Sequence, residues 1–172
     1  MPLIEAPSDS PVFLVVLAVH VVAGVTCVVT GIVAMLSRKR PGRHPRFGTV
    51  YYRGLSVVFT TAAVLSALRW AEDKHLFILG TLSFAAAALG RTALRRRWRG
   101  WIGLHISGMG LSYIVLLTAF YVDNGPNLPL WKDLPPIAYW LVPSAVGIPL
   151  IIRALLQHPL LQHSERPAHD VP

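Results

Sequence analysis

The stretch VFLVVLAVHVVAGVTCVVTGIVAML, residues 12–36, carries no Asp, Glu, Lys or Arg over 25 positions. A helix rises about 1.5 Å per residue, so about 20 residues cross a hydrocarbon layer of about 30 Å. In that layer no water satisfies the backbone, so a helix is the expected form. The period-two alternation of a membrane barrel strand is absent. Ahead of this run stand Glu5 and Asp9 and no Lys or Arg. A secretory signal has the opposite charge and a shorter apolar run, so a membrane span is expected.

Working outward, four more apolar segments of similar length follow, at 48–70, 75–94, 101–122 and 137–156. The second and third are separated by "AEDK" (71–74), which requires an antiparallel hairpin. Pro143 and Pro149 fall inside the fifth segment and are expected to bend it. The chain of 172 residues is 53% hydrophobic and only 14% charged, well below the roughly 25% of a soluble domain. The expected fold is all-α, an integral membrane bundle of five transmembrane helices over 12–156. A short segment, 1–11, precedes it and a loose polar tail, 157–172, follows. The single Cys27 excludes an intrachain disulfide and reads as a small buried residue.

The charges sort by side. Arg38, Lys39, Arg40, Arg43, Arg46 and Arg53 follow the first span, Arg91, Arg95, Arg96, Arg97 and Arg99 the third, and Arg153 and Arg166 the fifth. Those 13 basic residues share one side, against 3 on the other: Arg69, Lys74 and Lys132. Six of the eight acidic residues take the less basic side. The positive-inside rule then puts the N-terminus outside and the C-terminus in the cytoplasm. The basic loops are expected to meet anionic lipid headgroups rather than nucleic acid, because they are short and adjoin apolar spans.

The candidate chemistry lies in histidines. His20 is an ionisable group within an apolar span, and such a group is a functional candidate by default. At 100° per residue His20, Gly24, Cys27, Gly31 and Ala34 share one face, a smooth groove suited to a flat ring or to close helix packing. His105, one turn inside the fourth span, shares a face with Gly108, Ser112 and Ala119. His44 lies in the basic loop; the following Pro45 disfavours helix at His44, so the second helix is expected to begin near Phe47 or Gly48. His75 opens the third span beside Glu72 and Asp73. His20 and His105 differ in depth by about 16 Å, too far for one iron. His44 and His105 both belong at the cytoplasmic mouth, where they are expected to form a shared inner site. Arg46, Arg53 and Arg91 are near enough in sequence to pair with a ligand's carboxylates or phosphate. His20 and His75 define a weaker outer site, and His20, His44, His75 and His105 are the candidate metal ligands. In the tail, His158, His163 and His169 read as solvated. No CxxC, HExxH, P-loop or GxGxxG stands in the required context. No carboxylate lies in mid-membrane, which argues against a proton-coupled transporter.

Three pieces together, His20 with Gly24 and Gly31, "RHPRFGTVYYR" (43–53) and "WIGLHISGMGLSYIVLLTAFYVDNG" (101–125), resemble bacterial membrane proteins grouped as domain of unknown function 2306. The resemblance covers roughly 12–156 and implies a membrane helical fold with recurrent histidines at the positions of His20, His44 and His105. The layout is also loosely similar to small b-type cytochromes. The leading expectation is a redox cofactor, haem b or else a quinone or a metal, held by helix-borne histidines for electron transfer with a redox partner. A structural or assembly protein and a small-solute transporter are the alternatives, and a homo-oligomer is compatible with each.

Overall fold

The computed structural model describes residues 10–38 and 41–158. The N-terminal segment up to residue 9, Lys39, Arg40 and the tail from residue 159, with His163, Arg166 and His169, lie outside the described residues. Five α-helices follow in order: α1 (Pro11–Leu36), α2 (Arg43–Leu68), α3 (Trp70–Arg96), α4 (Trp101–Asn124) and α5 (Ile137–Leu156). All five are long and apolar enough to span a membrane. No strand occurs among the described residues.

The helix ends follow local chemistry. Ser10 caps α1, its hydroxyl accepting from the Phe13 N–H at 3.2 Å, and Pro11 sits where no N–H is required. Glu72 and Asp73 open α3, where the helix dipole favours negative charge, and Arg69 pairs with Glu72. "AEDK" is therefore the first turn of α3, and the reversal from α2 pivots on Arg69 alone.

The start of α2 also differs from the sequence expectation. The helix begins at Arg43 and includes His44 and Pro45. A proline in the first turn removes an N–H that has no intrahelical partner anyway. Gly42 turns the chain into the helix with φ 124°, a value suited to glycine.

Two antiparallel hairpins, α1–α2 and α3–α4, make the bundle, and α5 packs on α4. Small residues let the backbones approach. A Cβ on Gly54 would meet Cys27 Sγ at 2.9 Å, and one on Gly108 would meet the Ala86 carbonyl oxygen at 2.7 Å and Gly90 Cα at 2.9 Å. The interior is made of Cys27, Tyr51, Leu55, Val58, Ala87, Tyr113 and Leu116, together with Ser66, Ser83 and Ser112, each no more than 1% exposed. Meanwhile Val12 is 67% and Leu36 83% exposed. Hydroxyls inside and bare aliphatics outside suit a chain whose surroundings are lipid.

Candidate functional site at the histidine pair

α2 and α4 run in the same direction, and each carries a histidine near its start. His44 is the second residue of α2 and His105 the fifth of α4. Their ring centres lie 6.4 Å apart with the planes at 88°. Each ring is tied to the preceding helix of its own hairpin: His44 Nδ1 is 2.9 Å from the Ala34 carbonyl oxygen, and His105 Nδ1 is 3.2 Å from that of Gly90. A carbonyl oxygen only accepts, so each Nδ1 carries the hydrogen. In the neutral ring Nε2 is then the nitrogen with the lone pair. A backbone carbonyl on the far nitrogen is the usual way a ligating imidazole is oriented.

One face continues below the pair. Tyr51 and Ser112 lie seven residues, two turns, beyond His44 and His105. Their side chains are bonded at 2.8 Å. Ser112 Oγ also donates to the Met109 carbonyl at 2.9 Å, so the single hydrogen of Tyr51 goes to Ser112. Ser83 Oγ of α3 donates to the Ser112 carbonyl at 2.8 Å. Tyr113 OH reaches the Val28 carbonyl of α1 at 3.1 Å. Four helices are thus fastened together beneath the two imidazoles. The sequence placed Ser112 on the face of His105 but did not reveal its bond to Tyr51, although the His-x6-Tyr and His-x6-Ser spacing contained the signal.

His20 is placed elsewhere. Its Nδ1 lies 2.9 Å from Thr61 Oγ1 of α2. The Thr61 hydrogen is used on the Val57 carbonyl at 2.8 Å, so His20 donates and Thr61 accepts. His75 stands in the second turn of α3, at the opposite end of the bundle from His44 and His105. No group of three or more His, Cys, Asp or Glu suited to a metal occurs among the described residues.

The groove on α1 divides in two. At Gly31 the Tyr113 ring already occupies the space, and a Cβ there would overlap its Cε2 and Cδ2 atoms. At Gly24 nothing lies within 4 Å of an added Cβ. Arg46 and Arg53 are exposed and stand about 200° and 180° around α2 from His44. Helical geometry therefore places both on the side of α2 away from His44. Arg91 lies with its guanidinium 4.7 Å over the Tyr52 ring.

The end bearing the pair is rich in arginine. Glu72, Asp73, Asp123 and Asp133, the carboxylates among the described residues, all belong to the other end. No family model, curated protein or solved structure matches the chain.

Proposed function

We propose that this is a multi-pass protein of the bacterial inner membrane, with the arginine-rich end in the cytoplasm, and that His44 and His105 bind a redox cofactor there, haem b fitting best. The observation that carries this is the 6.4 Å between ring centres. An imidazole nitrogen bonds a metal at about 2 Å. With about 1 Å more from that nitrogen to the ring centre, two imidazoles that held one metal ion would have their ring centres no more than about 6 Å apart. The tautomer favours the same ligand. A neutral Nε2 acceptor suits iron or another metal, whereas a quinone carbonyl asks for a donor. The Tyr51–Ser112 bond closes the seam two turns deeper, which supports a cofactor held at the mouth of the bundle rather than in its centre. A bound haem would supply a one-electron couple; the chain's part is to orient the two nitrogens and exclude competing ligands.

A purely structural reading is favoured by one further observation. Gly90 and Gly108 pack backbone to backbone beside His105, so its bond to the Gly90 carbonyl also clasps α3 to α4. Absorbance separates the two. Protein purified from haem-supplied cells is expected to show a Soret band that shifts on reduction. His44→Ala and His105→Ala are each expected to abolish it, and His75→Ala to keep it. A colourless wild-type protein after haem supply and reconstitution would leave the structural reading.

A further inference from the structure

Arg53 and Arg91 do not stand in the loops but within the spans α2 and α3. The Arg91 guanidinium lies over the Tyr52 ring at 4.7 Å, which brings it level with the adjoining Arg53. Arg95, one turn nearer the end of α3, shares the face of Arg91, and Arg53 and Arg95 are its like-charged neighbours. The carboxylates among the described residues lie at the opposite end of the bundle, so none neutralises this cluster. Charged groups within a span are costly and call for a counter-charge or a path to water. A guanidinium stacked on a ring keeps its N–H rim available for an oxyanion. Away from the charges, half-buried rings continue between α2 and α3: Tyr52 to Phe84 at 5.9 Å, Phe84 to Phe59 at 5.1 Å and Phe59 to Phe77 at 6.4 Å.

We infer that Arg53, Arg91 and Arg95 bind the phosphate of an acidic phospholipid in the leaflet at the arginine-rich end, with its acyl chain lying along Tyr52, Phe84 and Phe59. Three cations with no carboxylate at their end of the bundle among the described residues favour a headgroup of net negative charge over a zwitterionic one. An apolar ring file beside them gives the tail a surface, which a free phosphate would not use. Arg53 faces away from His44, so this site is separate from the histidine pair and does not rest on the haem reading.

Native mass spectrometry of the full chain, released from micelles doped equally with phosphatidylglycerol and phosphatidylcholine, tests it. Phosphatidylglycerol is expected to be retained preferentially. Arg53→Gln and Arg91→Gln are each expected to lower that retention about fivefold, and Lys132→Gln, at the opposite end of the bundle, to leave it unchanged. Arg53 is exposed, so its variant decides the matter should Arg91→Gln fail to assemble. Equal retention of both lipids, or wild-type retention by Arg53→Gln, would overturn the assignment. So would full displacement of the lipid by soluble glycerol phosphate, which would mark a site for free phosphate.

Discussion

The Tyr51 hydroxyl donates to Ser112 Oγ at 2.8 Å, and the two residues stand at the same distance in sequence, seven positions, beyond His44 and His105. The two hairpins therefore meet along matched faces of α2 and α4, with imidazoles in one layer and a phenol and a hydroxyl in the next. Leu55 and Leu116, each four positions further on, continue into the buried core.

Tyr51→Phe removes that bond and keeps the ring. Interhelical hydrogen bonds in membranes average about 0.6 kcal/mol, and Ser112 Oγ keeps its bond to the Met109 carbonyl. The expected loss is about 0.5–1 kcal/mol in unfolding by a denaturing detergent. Ser112→Ala strands the buried Tyr51 hydroxyl and should cost more, about 1–3 kcal/mol, and the double variant should cost less than the sum of the two. Additive losses would show that the bond does not couple the hairpins.

The two glycines of α1 should behave differently. Gly31 is filled by the Tyr113 ring and Gly24 faces open space. Gly31→Leu is expected to destabilise by about 2 kcal/mol or more, as overpacking does, and to lower the yield of assembled protein. Gly24→Leu should be tolerated within about 0.5 kcal/mol. Equal losses at both positions, measured by thermal aggregation in detergent, would contradict this packing.

Topology is tested independently of the site. A cytoplasm-active reporter at the C-terminus is expected to work and a periplasm-active one to stay silent. Reporters placed after Asn127, in the connection between α4 and α5, should give the reverse. Inverted signals at both positions would place the arginine-rich end outside.

The helices were legible because their cause is local. Residues 12–36 cannot satisfy their backbone in lipid except as a helix, and the arginines mark every second connection. Boundaries were less so. Pro45 disfavours helix at His44, yet in a first turn its missing N–H costs nothing, and the preceding glycine supplies the turn. The histidine pair could be anticipated from depth alone, since His44 and His105 begin parallel helices at one end. The arginines could not be placed that way: nearness in sequence grouped Arg53 with His44, but nine residues of helix put it about 13 Å further along α2 and on the other side. The partner of His20 was hidden too, because Thr61 lies 41 positions away and nothing local distinguishes it from Thr60.

The most decisive substitution separates the two nitrogens of His44. Asparagine puts an amide N–H close to where Nδ1 stood, so His44→Asn is expected to keep the bond to the Ala34 carbonyl while removing Nε2. Glutamine reaches further, to the position of Nε2, and gives up the near donor. If the ring serves only to clasp α1 to α2, His44→Asn should match the wild type in stability within about 0.5 kcal/mol, with nothing else changed. On the haem reading the same variant should remain folded and lose the Soret band of the reconstituted protein, because an amide is a poor axial ligand. His105→Asn should do likewise through the Gly90 carbonyl. A wild-type spectrum in both asparagine variants would remove the pair from cofactor binding while leaving its structural bonds intact.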